Sequence, residues 1–429
     1  MKRKTKEIIK SFIIVLLLCS AVFLASKTGL FSDFIKAIPI LSAIRDQSEG
    51  SGGTQTPEQS YSEACRPLTI AVTWETGLRY AVKYNDSLLS EIYDRFDNIL
   101  GEVLGSASQP APSTEEEWKQ SLTSAGVYFD FGCEVPLSAL ARWLGTEMIY
   151  DSGAYARRIC ICEDGENGVL LMYLSGGSAW RCTTAAAFSS IRPRLEEHSQ
   201  NDASYAFELG GEYPELEPYT LLVPGVRKIP DATAAIPQFT PELISAVLAA
   251  FGLDGYESSN YSEPDGTMVY VKEGVTVRIS GGGMIVLRNR GLSDEQSPLI
   301  LSFSAPDDAD YIEAARSITA KLAAAAGGSS SLYFTGIKHF GESTCEVTFD
   351  YFISGSRIVQ KSGAAAVVTF TDGLMTDAVI GLRTYTLSET ITALLPELQA
   401  AAAVSDGREL QLLYLDSGAG LMPAFWAAG

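Results

Sequence analysis

The sequence predicts an α+β protein. A single amino-terminal transmembrane helix leads into extracytoplasmic domains of antiparallel sheets with packed helices, and tandem helix–meander units fill the carboxyl-terminal half. Three observations predict this. A basic end precedes one apolar run. Beyond it, short alternating stretches are separated by turn signals. Helical patterns then recur, each followed by several strands.

The basic end is residues 1–10, with Lys2, Arg3, Lys4, Lys6 and Lys10. The membrane anchor is residues 11–26, formed by Phe12, Ile13, Ile14, Val15, Leu16, Leu17, Leu18, Ala21, Val22, Phe23 and Leu24. A bilayer needs about 20 apolar residues. Ile8 and Ile9 extend the run if Lys10 snorkels toward the headgroups. Behind the span stand Lys27, Lys36 and Arg45, so the basic bias places the amino end in the cytoplasm and the rest outside. The rival is a cleaved signal peptide. Against it, a cut after Ala25 would put bulky Phe23 where a small residue is preferred, and Leu18 precedes Cys19 where a lipoprotein needs a small residue. Ser20, Ala21 and Ala25 form a small-residue face suited to contact with another membrane helix.

The 429 residues carry 32 basic and 52 acidic side chains. Past residue 10 the balance is 27 against 51, a net of −24. Lys/Arg clusters are absent there, which argues against nucleic acid as a partner. Residues 27–66 read as a juxtamembrane segment followed by a polar Gly/Ser linker.

An amino-terminal α+β domain is expected over 67–230. Leu68 to Trp74 alternates as a strand. Tyr84 to Leu104 carries apolar residues three and four apart, and Gly105 follows as a stop. Ser113, with Glu116 three residues on, predicts a capped second helix. Gly126 to Phe131 reads as a strand, and Pro136 to Leu144 as a short helix. Arg158 to Glu163 and Val169 to Leu174 predict a hairpin, with a third strand at Ser178 to Thr183. Two strands, Tyr205 to Leu209 and Tyr219 to Val223, close the region.

The tandem units are expected over 231–429. Pro241 to Leu253, Asp310 to Ala326 and Glu389 to Ala403 read as helices. Strands are expected at Met268 to Val271, Thr276 to Ile279, Met284 to Arg288, Ser331 to Ile337, Cys345 to Ile353, Ala365 to Phe370 and Leu374 to Tyr385. Glu409 to Leu415 and Leu421 to Trp426 end the chain, and the last unit looks cut short. Residues 275–281 and 367–373 occupy equivalent places after their helices, the mark of an internal duplication.

No pattern for catalysis, metal or cofactor emerges. His198 and His339 lack partners at metal spacing, and no nucleophile motif occurs. The acidic pairs at 196–197 and 307–308 and the triplet at 115–117 read as solvated surface. Of the seven cysteines, Cys19 falls in the anchor and Cys65, Cys133, Cys160, Cys162, Cys182 and Cys345 beyond it. Cys160 and Cys162 share one face of a strand and cannot comfortably bridge each other. Cys182, on a later strand, could reach one of them, though buried small hydrophobes are the simpler reading. The five tryptophans read mostly as core.

The layout resembles the YycH/YycI family, membrane-anchored regulators of the WalK (YycG) sensor histidine kinase in Gram-positive bacteria. The residues that carry it are Val347 to Gly355, Val367 to Gly373, Leu382 to Tyr385, and Leu413-Tyr414 with Leu421 to Trp426. The resemblance implies a non-enzymatic regulator of a two-component kinase controlling cell-wall metabolism. It would act by contact through the transmembrane helix and outer domains, with the kinase and a paralogous YycH/YycI-type protein as partners and no cofactor. It would be a single-pass protein of the cell membrane. The alternatives are an extracytoplasmic wall-acting hydrolase and a wall- or peptide-binding protein.

Overall fold

In this computed structural model, residues 66–429 are described, apart from 76–77, 226, 254–258, 292–298, 302–305, 406 and 419. The proposed anchor, its contact face at Ser20, Ala21 and Ala25, Cys19 and Cys65 all lie outside the described residues. Among the described residues, no helix is long and apolar enough to cross a membrane.

Alternation of side chains makes the first sheet two-faced. Its strands are β1 (Thr69–Glu75), β2 (Leu78–Lys83), β3 (Ala111–Pro112), β4 (Gly126–Pro136), β5 (Tyr155–Asp164), β6 (Gly168–Ser175) and β7 (Ser178–Thr183), in the order β2-β1-β4-β5-β6-β7-β3. One face carries Ile70, Val72, Phe129, Ile159, Ile161 and Leu171. It is covered by α1 (Asp86–Ser106), which buries Leu89, Ile92, Tyr93, Phe96 and Leu100. The Asn85 side chain caps α1 by accepting from the Leu88 N–H at 3.1 Å. The opposite face carries Tyr128, Cys160, Cys162 and Met172, and α2 (Glu115–Thr123) covers it with Trp118 and Leu122.

The cap of α2 stands one residue beyond the expected Ser113. Thr114 and Glu117 form the capping box, while the Ser113 hydroxyl donates to Glu117 at 2.6 Å. The expected approach of Cys182 to Cys160 or Cys162 is overturned by register. Cys182 stands opposite Leu171, and Leu171 opposite Ile161, so Cys182 belongs to the α1 face. An odd offset across the ladder puts a side chain through the sheet. The predicted strands at 205–209 and 219–223 shrink to β8 (Ser204–Tyr205) and β9 (Leu221–Leu222). Residues 206–209 coil into a short 3₁₀ turn that ends at Gly210, whose φ is 62°. Two short helices, α3 (Leu137–Trp143) and α4 (Arg192–Leu195), complete this half.

The second half begins with β10 (Pro230–Ala235) and α5 (Pro241–Ala250). A meander follows: β11 (Ser259–Ser262), β12 (Met268–Lys272), β13 (Val275–Ile279) and β14 (Met284–Asn289). Then come α6 (Asp308–Ala326), β15 (Ser331–Phe340), β16 (Thr344–Ile353), β17 (Ser356–Gln360), β18 (Ala366–Thr371) and β19 (Leu374–Gly381). The chain ends with β20 (Thr384–Ile391), α7 (Glu397–Ala401), β21 (Leu410–Asp416), β22 (Gly420–Met422) and β23 (Phe425–Ala428).

The two helix–meander units join along β14 and β19, giving the run β12-β13-β14-β19-β18-β16. The two segments expected to be equivalent, residues 275–281 and 367–373, fall on β13 and β18, each one strand away from the junction. Helices α5 and α6 share the inner face, burying Val247, Phe251, Ile312, Ala315, Ile318 and Leu322 against Val277, Leu287, Val347, Phe349 and Val368. The same core continues into Ile70 and Phe129 of the first sheet and Phe96 of α1. The sheet is antiparallel except that β17 runs parallel to β21.

Two expectations fail near the end. The predicted strand from Leu374 to Tyr385 is two strands in two sheets. β19 ends at Gly381, and β20 pairs with β10 in a three-stranded sheet, β20-β10-β22. The turn is fixed where the Leu382 N–H donates to the Gly283 carbonyl at 2.8 Å and the Arg383 N–H to the Tyr351 hydroxyl at 3.2 Å. The predicted helix from Glu389 to Ala403 contracts to α7. Pro396 stands just before it, because proline lacks an N–H and its ring clashes with a preceding helical turn. The β-branched Thr390 and Ile391 extend in β20 instead.

Candidate functional site

The seam between the first sheet and the end of the long sheet gathers charge in the interior. Asp130 of β4 receives Arg157 Nε at 2.8 Å, and the same guanidinium reaches Glu409 Oε2 at 2.6 Å. Arg158 turns to Glu217 at 2.6 Å and lies 3.4 Å from Asp130. Burial would raise the Asp130 carboxyl, but Arg157 and Arg158 overcome that and hold it at about 2.

Beside this network lies a cavity of about 260 Å³. Its walls come from β4 and β5 on one side and from β15, β16, β17 and β21 on the other. Tyr333 and Phe352 form an edge-to-face pair in it, with centroids 5.1 Å apart. Asp350 is buried, accepts the Ala365 N–H at 3.1 Å and pairs with half-exposed Arg357. Cys133 also faces the cavity, its thiol donating to the Phe334 carbonyl at 3.2 Å. Burial pushes that thiol up to about 12, so at neutral pH it is not a nucleophile.

A second buried group joins the end of β2 to the start of α7. Lys83 Nζ donates to Glu397 at 2.8 Å and to the Leu221 carbonyl at 2.8 Å. Arg227 adds a second contact to Glu397 at 3.1 Å. Burial pulls the Lys83 amine down, while Glu397 and Tyr84 push it back further, so the net shift is upward. Tyr84 has φ of 57°, a strained backbone for a bulky side chain. Its hydroxyl accepts the Leu412 N–H at 3.2 Å, and its ring meets Trp426 at 5.9 Å between centroids.

The residues that carry the family resemblance divide between two clusters: Val347, Phe349, Val368, Phe370 and Leu382 join the main core, and the tyrosines form a second one. Tyr351, Tyr385 and Tyr414 are fully buried together with Leu412 and Ile358, and Trp426 packs against them. The Tyr385 hydroxyl donates to Asp416 at 2.8 Å and accepts from Gln360 at 2.9 Å. The glycines of the motif close hairpins. Ser354-Gly355 and Asp372-Gly373 both have positive φ, the backbone of a two-residue I′ turn.

The remaining residues singled out in the sequence have structural surroundings. His339 pairs with Asp308 at 2.9 Å on exposed β15, and His198 stacks on Tyr80 at 5.0 Å. Asp307 and Asp310 cap α6 and both hold Arg142 at 2.7 Å. Trp118 and Trp143 are buried, whereas Trp74, Trp180 and Trp426 are half-buried. Among the described residues, no three His, Cys, Asp or Glu side chains group to hold a metal ion.

What sequence reasoning missed is an exposed apolar set on the small sheet. Leu387, Ile391, Leu395 and Leu421 are 41%, 49%, 59% and 55% exposed. Ile391 stands opposite Pro230, Leu387 opposite Ala232, and Leu421 opposite Thr233. Among the described residues β20 is an edge strand, so beyond the Tyr385 carbonyl, which takes the Ser329 N–H at 2.8 Å, its outer side has no strand partner there. The one available signal was the apolar spacing in Leu387, Ile391 and Leu395; the helical reading over Glu389 to Ala403 absorbed Ile391 and Leu395, and Leu387 fell between elements.

The fold is thus an antiparallel α+β assembly with doubled helix–meander units and an interior ionic seam. No family model matches the chain, and no curated protein matches it. Among solved structures, the crystal structure of YycH from Bacillus subtilis aligns with 86% of this chain and 95% of that one, at 11% identity and a TM-score of 0.49. The likeness is one of fold.

Proposed function

We propose that this protein is a membrane-anchored, non-enzymatic regulator of a sensor histidine kinase that controls cell-wall metabolism. It acts by protein contact, through its amino-terminal helix and its outer domains. The observation that carries the reading is the exposed apolar edge formed by Leu387, Ile391 and Leu395 on β20 and the segment after it. An edge strand with apolar side chains and unpaired backbone groups is a template for another chain. Support also comes from the basic end and apolar run of residues 1–26 and from the motif resemblance at Val347 to Gly355 and Val367 to Gly373. The interior charges point the same way, since they are consumed in ion pairs that stitch the fold.

The test is in-cell crosslinking with mass spectrometry on three chains: the natural one, one with residues 11–26 replaced by an unrelated helix, and Leu387→Glu/Ile391→Glu. A histidine kinase recovered with the first and reduced with either of the others supports the proposal. Recovery of no kinase with the natural chain ends it.

A further inference from the structure

We infer that a second cavity, between α6 and the start of β15, binds a small oxoanion with a hydroxylated body. The site goes beyond the regulatory reading and needs no kinase partner.

The cavity measures about 270 Å³ and is lined by Arg66, which stands just ahead of β1. One wall is a stripe of α6, where Ala320, Ala323, Ala324 and Gly327 recur at helical spacing. None of these side chains reaches past Cβ, so the backbone of the last turn lies within reach of a ligand. The helix ends where Gly327 turns with φ of 76°, and a Cβ added there would meet no atom within 4 Å. Ser330 and Ser331 add hydroxyls to the lining.

Arg66 sets the charged end. Its Nε is buried and has no hydrogen-bond partner among the described residues. A guanidinium donor withdrawn from water is costly until an acceptor meets it. Asp86 attracts Arg66 through space, but its own oxygens take the Ser354 and Gly355 N–H groups. Arg316, also in the lining, is held by Glu313 at 2.8 Å and 2.6 Å. Among the described residues no Asp or Glu side chain lines the cavity, so an anion meets no carboxylate in its walls.

The helix end has the opposite preference. An α-helix leaves the carbonyls of its last turn without intrahelical partners and carries partial negative charge there. Those carbonyls accept donors and repel a second anion, while serine hydroxyls give or take. A ligand that meets both demands turns its anionic group to Arg66 and its hydroxyls to the end of α6. Carboxylate and phosphate both present the paired oxygens that a guanidinium grips. The volume lies just under the roughly 300–1,000 Å³ of drug-sized pockets, which limits the ligand to a few carbons.

Titration calorimetry on the full chain in detergent micelles tests this, with sn-glycerol 3-phosphate and D-glycerate as probes. Glycerol, inorganic phosphate and acetate serve as their separate parts. Saturable binding of at least one probe is expected, about tenfold or more tighter than glycerol or the bare anion. Arg66→Gln should weaken that probe by about tenfold or more. Ala324→Phe places a ring over the cavity from an exposed position, keeps Arg66, and should weaken the probe as much. Failure of both probes to bind up to about 10 mM would overturn the inference. A bare anion that binds as tightly as the probe, the mark of an adventitious ion only, would overturn it too, as would undiminished binding by Ala324→Phe. The comparison of probes with their parts is read on the natural protein, so it does not depend on a variant that folds. Either outcome leaves the crosslinking result untouched.

Discussion

Lys83 and Glu397 meet at 2.8 Å although 314 residues separate them in the chain. The pair joins the end of β2 to the first turn of α7, and both side chains are almost fully removed from water. An ion pair of that kind gains little net stability, because desolvation offsets most of the attraction. Breaking it from one side leaves an uncompensated charge in the interior. Lys83→Met should therefore cost about 3–5 kcal/mol in denaturant unfolding. The double change Lys83→Met/Glu397→Leu should recover most of that loss. A single variant as stable as the natural chain would contradict the pairing.

Asp130 gives the protein an acid limit. Its folded-state carboxyl sits at about 2, below the ordinary value of 3.8. A depressed carboxylate contributes stability that is present above the unfolded value and lost as pH falls through the folded one. The contribution is about 2 kcal/mol at neutral pH and should fade between about pH 4 and pH 2. Unfolding measured across that range should show the loss. Asp130→Asn should be less stable at pH 7 and show a shallower decline below pH 4.

The thiols should be silent in the native state. Cys160, Cys162, Cys182 and Cys345 are buried, and burial pushes Cys182 up to about 11 and Cys345 up to about 12. Iodoacetamide at pH 8 should leave these four unlabelled until the chain is denatured. Oxidation should produce no Cys160–Cys182 or Cys162–Cys182 bridge, since Cys182 lies across the sheet. A bridged peptide in mass spectra would refute the register.

Gly355 is constrained twice. Its φ is 72°, and an added Cβ would come within 3.3 Å of Tyr84 Cα and Leu89 Cδ1. Gly355→Ala should cost about 1–3 kcal/mol by thermal or denaturant unfolding. The same change at Gly341, where φ is 79° and no atom lies within 4 Å, isolates the backbone part of the cost.

Tyr385→Phe removes the donor to Asp416 and the acceptor of Gln360 while keeping the ring. Both partners are buried, so the loss should be about 1–3 kcal/mol. Unfolding of the single variant, with Asp416→Asn beside it, tests whether the two act together.

The strands that alternate cleanly were legible. β13, β14, β18 and the first half of β16 have one buried and one wetter face, whereas the pairings of β14 with β19 and of β16 with β18 skip strands and follow from no turn. β11 was not, because Ser259–Ser262 is exposed throughout and carries no periodicity. β10 escaped notice since its small residues, Ala232 and Ala234, are core only by virtue of Tyr385 and Met422 beside them. The seam was beyond reach of any local pattern. Asp130, Arg157 and Arg357 come from three strands and Glu409 from the residue just before β21, and only the tertiary fold brings them together. Of the acidic pair at 307–308, read as solvated surface, only Asp307 caps α6; its partners Asp310 and Arg142 carried no local signal.

β1 is the first strand after residue 66, and it lies between β2 and β4 with antiparallel ladders on both sides. The Leu68 N–H already donates to the Asp130 carbonyl at 2.8 Å. Tension transmitted along the polypeptide from ahead of Arg66 would pull β1 lengthwise. The rungs on both flanks would then bear load together in shear, instead of parting one by one like a zipper. Two ladders loaded side by side would resist such a pull further than either could alone.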